Sequence, residues 1–442
     1  MAENKNLISP AVAAAVGLGA IIGAGIFVLS GTAIALAGTY AIFAFALVGI
    51  LAFIIALELG ELGSLLPYVK GASYSYTYKA LGSELGFITG ILRYMSLSTS
   101  IGAIALGFGS YSASLFGVST GVFAIPFAIA LIFVLSVVNM FGVKKAAQAD
   151  FWLVIIKIGI LIVFIAFALY IVFSNRAIGL SNISFNNPGT GVIGGIFAAS
   201  VVVFFAYSGF QSISTITDRI KGGSGGYIKA ILAAVAISIV LYLLVTFAML
   251  ALLPASSYKI TADPLSYALG AVHAPSWLSI IVDIGALVAT ASATLAMILT
   301  SSRSLYQMSV DGLLPRLFRK YNSKTDTAEN GIIISAIIGI LILFAGNIYI
   351  IAAISEFGLM FNYLIIGLDV IHFRRNKVKA PFRMPFYPYL PVISIILILA
   401  MLTGMPNEAL VIGSAMIMLL ITAYYVLREA EMKKVIHIRL FK

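Results

Sequence analysis

What most constrains this chain is the recurrence of apolar runs about as long as the hydrocarbon core of a bilayer is thick. Ile332 to Ala345 is apolar at nearly every position, and a membrane-spanning helix needs roughly 20 such residues. Runs bounded by charge, Pro or Gly predict spans at 8–36, 40–66, 84–115, 121–142, 148–173, 190–218, 227–253, 276–309, 331–346, 348–372, 388–404 and 408–427. A transmembrane barrel would alternate apolar and polar residues, which these runs do not. The expected fold class is an all-α membrane protein with twelve transmembrane helices in one domain, 1–442. Composition points the same way, because 61% hydrophobic and 10% charged residues exclude an ordinary soluble domain, which is nearer a quarter charged.

Charge position matters more than the net +11. With an even number of spans both termini lie on one side, and about 23 of the 27 Lys and Arg fall in loops or span ends on that side. The other side has Arg176 and Lys259, while Arg93 and Lys157 fall inside spans. Such asymmetry predicts cytoplasmic termini, and it accounts for the basic balance without a nucleic-acid partner. Met1 to Pro10 carries one Lys and no small-residue cleavage pattern, so the first apolar run reads as a retained helix. With no Cys there is no disulfide, thiolate metal site or Cys nucleophile. His273, His372 and His437 have no metal-ligand spacing, and neither a metal nor a cofactor is implied.

Two spans are interrupted. The first holds Gly17, Gly19, Gly23, Gly25 and Gly31, and the sixth holds Tyr207-Ser208-Gly209. A single glycine reads equally as close helix packing, as in Gly19-x-x-x-Gly23. Interruptions at corresponding places of two halves, however, mark a binding site near the bilayer midplane. The working architecture is five helices over 8–173, five over 190–372 in inverted repeat, and two accessory helices over 388–427.

Gly19-Ala-Ile-Ile-Gly-Ala-Gly-Ile-Phe27 resembles the first-helix signature of the amino acid, polyamine and organocation transporter superfamily. Similar agreement is found in Glu61-Leu-Gly-Ser-Leu-Leu-Pro67, Gly71-Ala-Ser-Tyr-Ser-Tyr76, Leu81-Gly82, Phe204-Phe-Ala-Tyr-Ser-Gly-Phe210, Asp311-Gly-Leu-Leu-Pro315 and Pro381-Phe-Arg-Met-Pro-Phe-Tyr-Pro388. The resemblance covers nearly the whole chain in order, and it implies a LeuT-like carrier rather than an enzyme. The chain departs from it after span 6, where Lys221-Gly-Gly-Ser-Gly-Gly226 replaces an Asn-Pro loop, and at Gln211, where some antiporters have Glu.

An amino acid is a zwitterion whose two charges need fixed partners in a low-dielectric site. Where span 1 unwinds at Gly23, the N–H groups of Ala24, Gly25 and Ile26 face a carboxylate at a half-helix N-terminus. The resemblance implies that the carbonyl of Ile21 takes the ammonium and that Phe205, Ala206 and Ser208 line the corresponding stretch of span 6. Phe205 is the expected gate over the substrate; Phe205 and Tyr207 read alternatively as packing aromatics. Lys157 lies among Ile155, Ile156, Ile158 and Gly159. Membrane-embedded ionisable residues mark ion and proton pathways, and the family's proton-coupled members resemble this chain in having a Lys here. The alternative is a Lys reaching a headgroup or a backbone carbonyl. Arg93 and Asp283 read as snorkelling or structurally paired, Glu58 and Glu61 as structural, and Glu356 and Asp369 as wet span ends. The expected function is proton-coupled amino acid symport across the plasma membrane, with amino acid, protons and the lipid bilayer as partners. A polyamine or organic-cation carrier, an exchanger, and a sensor that does not transport remain as alternatives.

Overall fold

A computed structural model of the chain describes residues 8–66, 73–141, 146–174, 181–185, 191–211, 213, 220–323, 325 and 327–432. Lys5, Pro67, Lys70, Gly71, Lys144, Lys145, Arg176, Arg219, Lys324, Lys433, Lys434, His437, Arg439 and Lys442 lie outside the described residues. Among the described residues fifteen α-helices form: α1 (Pro10–Ile21), α2 (Ala24–Ala37), α3 (Ala41–Leu65), α4 (Ser73–Leu81), α5 (Ser83–Leu115), α6 (Thr120–Met140), α7 (Ala146–Ser174), α8 (Val192–Tyr207), α9 (Gly223–Leu252), α10 (Pro264–Ala271), α11 (Ser276–Val310), α12 (Glu329–Leu341), α13 (Ile348–Arg375), α14 (Tyr389–Leu402) and α15 (Asn407–Met432). Among the described residues β-pairing is limited to two isolated bridges, one joining Ile8 to Ile220.

Helix boundaries follow local chemistry. Ser9 caps α1, its hydroxyl accepting from the N–H of Val12 at 3.3 Å, with Pro10 in the first turn, where a missing N–H costs nothing. Asn347 caps α13 in the same way through Ile350. Eight helical stretches of the described residues are long and apolar enough to cross a membrane, and α1, α8, α12 and α14 are shorter apolar helices. Large apolar side chains such as Phe133, Phe173, Ile193 and Met418 are exposed, as expected where the solvent is lipid. This is a multi-pass membrane protein.

At the centre α2 packs on α8, α1 and α3 pack on α9, and α5 packs against α6, α11 and α13. Two helices arise where no apolar run predicts one. The polar Ser73–Leu81 sequence of α4 is too short and too mixed to register as a span, and α10 falls in the connection read as a loop between spans 7 and 8. α10 leans on α2 so closely that a methyl group at Gly31 would come within 2.3 Å of Pro264.

Burial corrects one expectation. Glu356 and Asp369, read as wet, are both fully buried. Nearness to a helix end is not exposure here, because α13 is enclosed by α2, α3, α4, α5, α8, α14 and α15. Arg93 and Asp283 are also buried. Arg93 donates to Ser304 at 3.5 Å, and Asp283 accepts from Ser266 of α10, so pairing holds for both and snorkelling for neither.

Candidate substrate site

The first span breaks at two residues. Ile22, with φ −76° and ψ 58°, leaves the helical region, and Gly23, at φ −97° and ψ −137°, precedes α2. The Ile22 N–H still reaches Leu18 at 2.7 Å, but the N–H of Gly23 turns back to Ile21 at 2.7 Å. Gly19 thereby loses the donor that a continuous helix would give its carbonyl, and the first N–H groups of α2, from Ala24 onward, have no intrahelical acceptor. In the sixth span α8 ends at Tyr207. The Ser208 hydroxyl folds back onto the Phe205 carbonyl at 2.8 Å, and Gly209 takes φ +125°.

The two breaks touch. A methyl group at Gly25 would lie 2.1 Å from the Cα of Ala206, and one at Gly209 would lie 2.5 Å from the carbonyl oxygen of Ala20. Only glycine permits either approach. The stretch from Ala20 to Gly25 is thus brought beside Ala206 and Gly209. One detail differs: the close approach that requires Gly25 is to α8, which is the packing alternative for this glycine.

Carbonyls freed by the breaks are taken up by two side chains on other helices. Lys157 of α7, 1% exposed, directs its ammonium at the Gly19 carbonyl, 3.4 Å away. That carbonyl lies in the last turn of α1, where the helix dipole favours a cation. Tyr242 of α9 places its hydroxyl 2.8 Å from the Ile21 carbonyl and 2.9 Å from that of Ala206. One phenolic proton spans both breaks. Tyr242 has no sequence signature, being one of 21 Tyr with ordinary helical neighbours. Tyr207 turns to α3, donating to the Phe45 carbonyl at 3.2 Å, with its ring 4.9 Å from that of Tyr242. Phe205 is buried at the end of α8.

A second polar line reaches the sixth-span break from α13. Gln211 accepts from the hydroxyl of Tyr363, and its side-chain oxygen lies 3.4 Å from the Gly209 N–H. Tyr363 also stacks on Phe210 at 5.7 Å and meets Phe204 edge-on at 5.6 Å. Backbone groups, one ammonium and two phenols therefore surround the meeting of the breaks. An arrangement of this kind can hold a small zwitterion through main-chain dipoles and leave its side chain to be sorted by neighbours.

A family model described as amino acid permease matches residues 13–429. The methylthioribose transporter of Bacillus subtilis (strain 168) is 29% identical over 405 residues, covering 86% of this chain and 84% of that protein. The branched-chain amino acid permease BcaP of Lactococcus lactis subsp. cremoris (strain MG1363) is 28% identical, covering 95% of this chain and 94% of its own length. A vacuolar cationic amino acid transporter of Arabidopsis thaliana is 27% identical over 81% of this chain and 58% of that protein. These relatives are carriers and not enzymes, and with apolar helices throughout and two broken spans meeting in its interior, the chain belongs to the amino acid permease family.

Proposed function

We propose that the chain carries an amino acid across the plasma membrane by alternating access, coupled to protons, with twelve helices in a five-plus-five inverted repeat, two accessory helices and both termini cytoplasmic. The observation that carries this reading is the contact of the two breaks, Gly25 on Ala206 and Gly209 on Ala20. The carboxylate is received by the N–H groups of Ala24, Gly25 and Ile26 beside Gly23, and the ammonium, displacing the Tyr242 hydroxyl, by the carbonyls of Ile21 and Ala206 near Ser208. Phe205 covers the substrate. Lys157 is the proton-coupling residue: leaving the Gly19 carbonyl as a neutral amine and returning as an ammonium ties its charge to the geometry of α1.

The test is uptake into liposomes containing only this protein. An inward proton gradient is expected to drive accumulation of a labelled branched-chain amino acid without sodium, and Lys157→Ala to abolish it; uptake that requires sodium and ignores pH refutes the coupling. Amides and decarboxylated amines with matching side chains are expected to compete at least tenfold less well, since a charge-assisted hydrogen bond contributes roughly 1.5–3 kcal/mol. Phe205→Ala is expected to change substrate preference. The name of the Bacillus relative favours a second reading, methylthioribose, which has neither carboxylate nor ammonium. Stronger competition by methylthioribose than by any amino acid would replace the zwitterion reading.

A further inference from the structure

Each buried carboxyl group of the described residues but one has a hydrogen-bond partner. Glu58 accepts from Ser394 at 2.6 Å, Glu61 from Arg374, Asp369 from Thr77 at 2.8 Å and Asp283 from Ser266. Glu356 is fully buried, and neither of its oxygens has a hydrogen-bond partner. It sits on α13, nine residues into a helix of 28 that is among those apolar enough to cross the membrane.

No cation on the surrounding helices serves it. Arg93 of α5 donates to Ser304, and Arg374 at the far end of α13 is paired with Glu61. Lys79 of α4 and Arg428 of α15 are exposed. α2 has no ionisable side chain. Of the phenols around α13, Tyr74 of α4 donates to Asp311, Tyr111 of α5 to Phe27, Tyr207 of α8 to Phe45, Tyr425 of α15 to Glu84, Tyr349 to Gly404 and Tyr363 to Gln211, while Tyr76 of α4 and Tyr94 of α5 are buried without donating to Glu356. Glu408 and Glu429 of α15 are exposed, as is Tyr389 of α14. An ionised carboxylate in such a place would keep the full cost of its lost hydration with nothing to offset it, and a group so placed takes up a proton instead.

Glu356 is seven residues, two helical turns, before Tyr363, so the two share a face of α13. That face meets the sixth span, because Tyr363 packs on Phe204 and Phe210 and holds Gln211, which in turn approaches the Gly209 N–H. Any movement of α13 that admits water or a cation to Glu356 is transmitted along one rigid helix to the break.

We infer that Glu356 is a proton-binding site within the membrane, occupied in this conformation and emptied when α13 separates from its neighbours during transport. The step is a simple ionisation: the carboxyl O–H bond breaks, the proton passes to water, and the electron pair stays on the carboxylate. This rests on the reading of the chain as an alternating-access carrier, but it assigns a second protonatable group, on a different helix from Lys157.

Infrared difference spectroscopy of the protein in nanodiscs tests it at neutral pH, comparing the parent with Glu356→Gln, a neutral variant of the same shape. The parent is expected to show the carbonyl stretch of a protonated carboxylic acid that the variant lacks; Glu356→Met takes its place if the first variant is not monodisperse. In liposomes Glu356→Gln is expected to lose at least tenfold in proton-driven accumulation while still exchanging labelled for unlabelled substrate. An unchanged set of protonated-carboxyl bands in the variant overturns the site, and accumulation equal to the parent's overturns its emptying during the cycle. A band lost in the variant, together with a parent that ignores the proton gradient, leaves the site standing and refutes instead the proton-coupled reading of transport.

Discussion

Where α1, α2 and α8 meet, the described residues are held by neutral hydroxyls and backbone groups, with the Lys157 ammonium the one charge among them: Tyr242 on two carbonyls, Lys157 at 3.4 Å from a third, Ser208 on Phe205. Where α3 meets the far end of α13 the means are different. Arg374 grips Glu61 with two nitrogens at 2.5 and 2.8 Å and also donates to the Met384 carbonyl, while the Met384 N–H returns to Glu61 and the guanidinium lies 5.0 Å from the ring centre of Tyr387. Ser64 adds a bond from the Phe382 N–H at 3.1 Å. Bidentate arginine pairs are strong and geometrically exacting, suited to a joint that stays closed. A phenol shared between two carbonyls is weaker and is easily released, suited to a joint that must change partners.

The comparison breaks first, and most severely, at Gly25. Gly25→Leu is expected to remove folding and substrate binding together, because even a Cβ would collide with the Ala206 backbone, which cannot turn aside as a side chain can, and the cost rises well beyond the roughly 1–3 kcal/mol of ordinary overpacking. Monodispersity in detergent checks it, and a well-folded variant that still binds substrate would show that α2 and α8 have room to part. Arg374→Ala comes next. It leaves Glu61, 4% exposed, without its cation, and removing one partner of a buried pair costs roughly 3–5 kcal/mol. The thermal midpoint should fall by several degrees while substrate preference stays as it was.

Tyr242→Phe should have a smaller effect on stability, about 1–3 kcal/mol for the Ala206 carbonyl left without the phenol, and a larger one on affinity. If its stability loss equals that of Arg374→Ala, the two joints are alike and the contrast fails. The smallest effect belongs to Asp263, at the start of α10 and outside the spanning segments. Burial pushes its carboxyl above the ordinary carboxylate value, opposed by hydrogen bonds from its own backbone and Thr261. The folded protein therefore holds that proton more tightly than the unfolded chain does, so this increment of stability is present at acid pH and is lost as pH rises through the raised value. Thermal midpoints across acid pH should vary less in Asp263→Asn than in the parent.

Much of this was legible in residues alone. Apolar length marks helices such as α5 and α11 to within about a residue at each end, since in a bilayer the run itself is the signal. Gly23 and Ser208-Gly209 mark the breaks because they are polar or flexible where the surroundings are uniformly apolar. That these breaks touch is a tertiary fact with a faint local trace, the glycines at 25 and 209. Tyr242 leaves none: a tyrosine in an apolar helix looks the same whether its hydroxyl meets lipid headgroups or two carbonyls. Glu356 leaves no trace of its burial for a related reason, because distance along a helix axis says nothing about which neighbours enclose it.

The contact between Gly209 and the Ala20 carbonyl has a mechanical consequence. Two kinked rods that could each flex on their own would have two independent angles. With no room for a methyl group between Gly209 and Ala20, or between Gly25 and Ala206, one kink cannot bend toward the other, so the two can only tilt together or part. On the proposed alternating-access reading, access from either side of the membrane then opens by tilting the pair as a whole against α5 and α11, by parting the kinks, or by swinging α7 and α13 away from them.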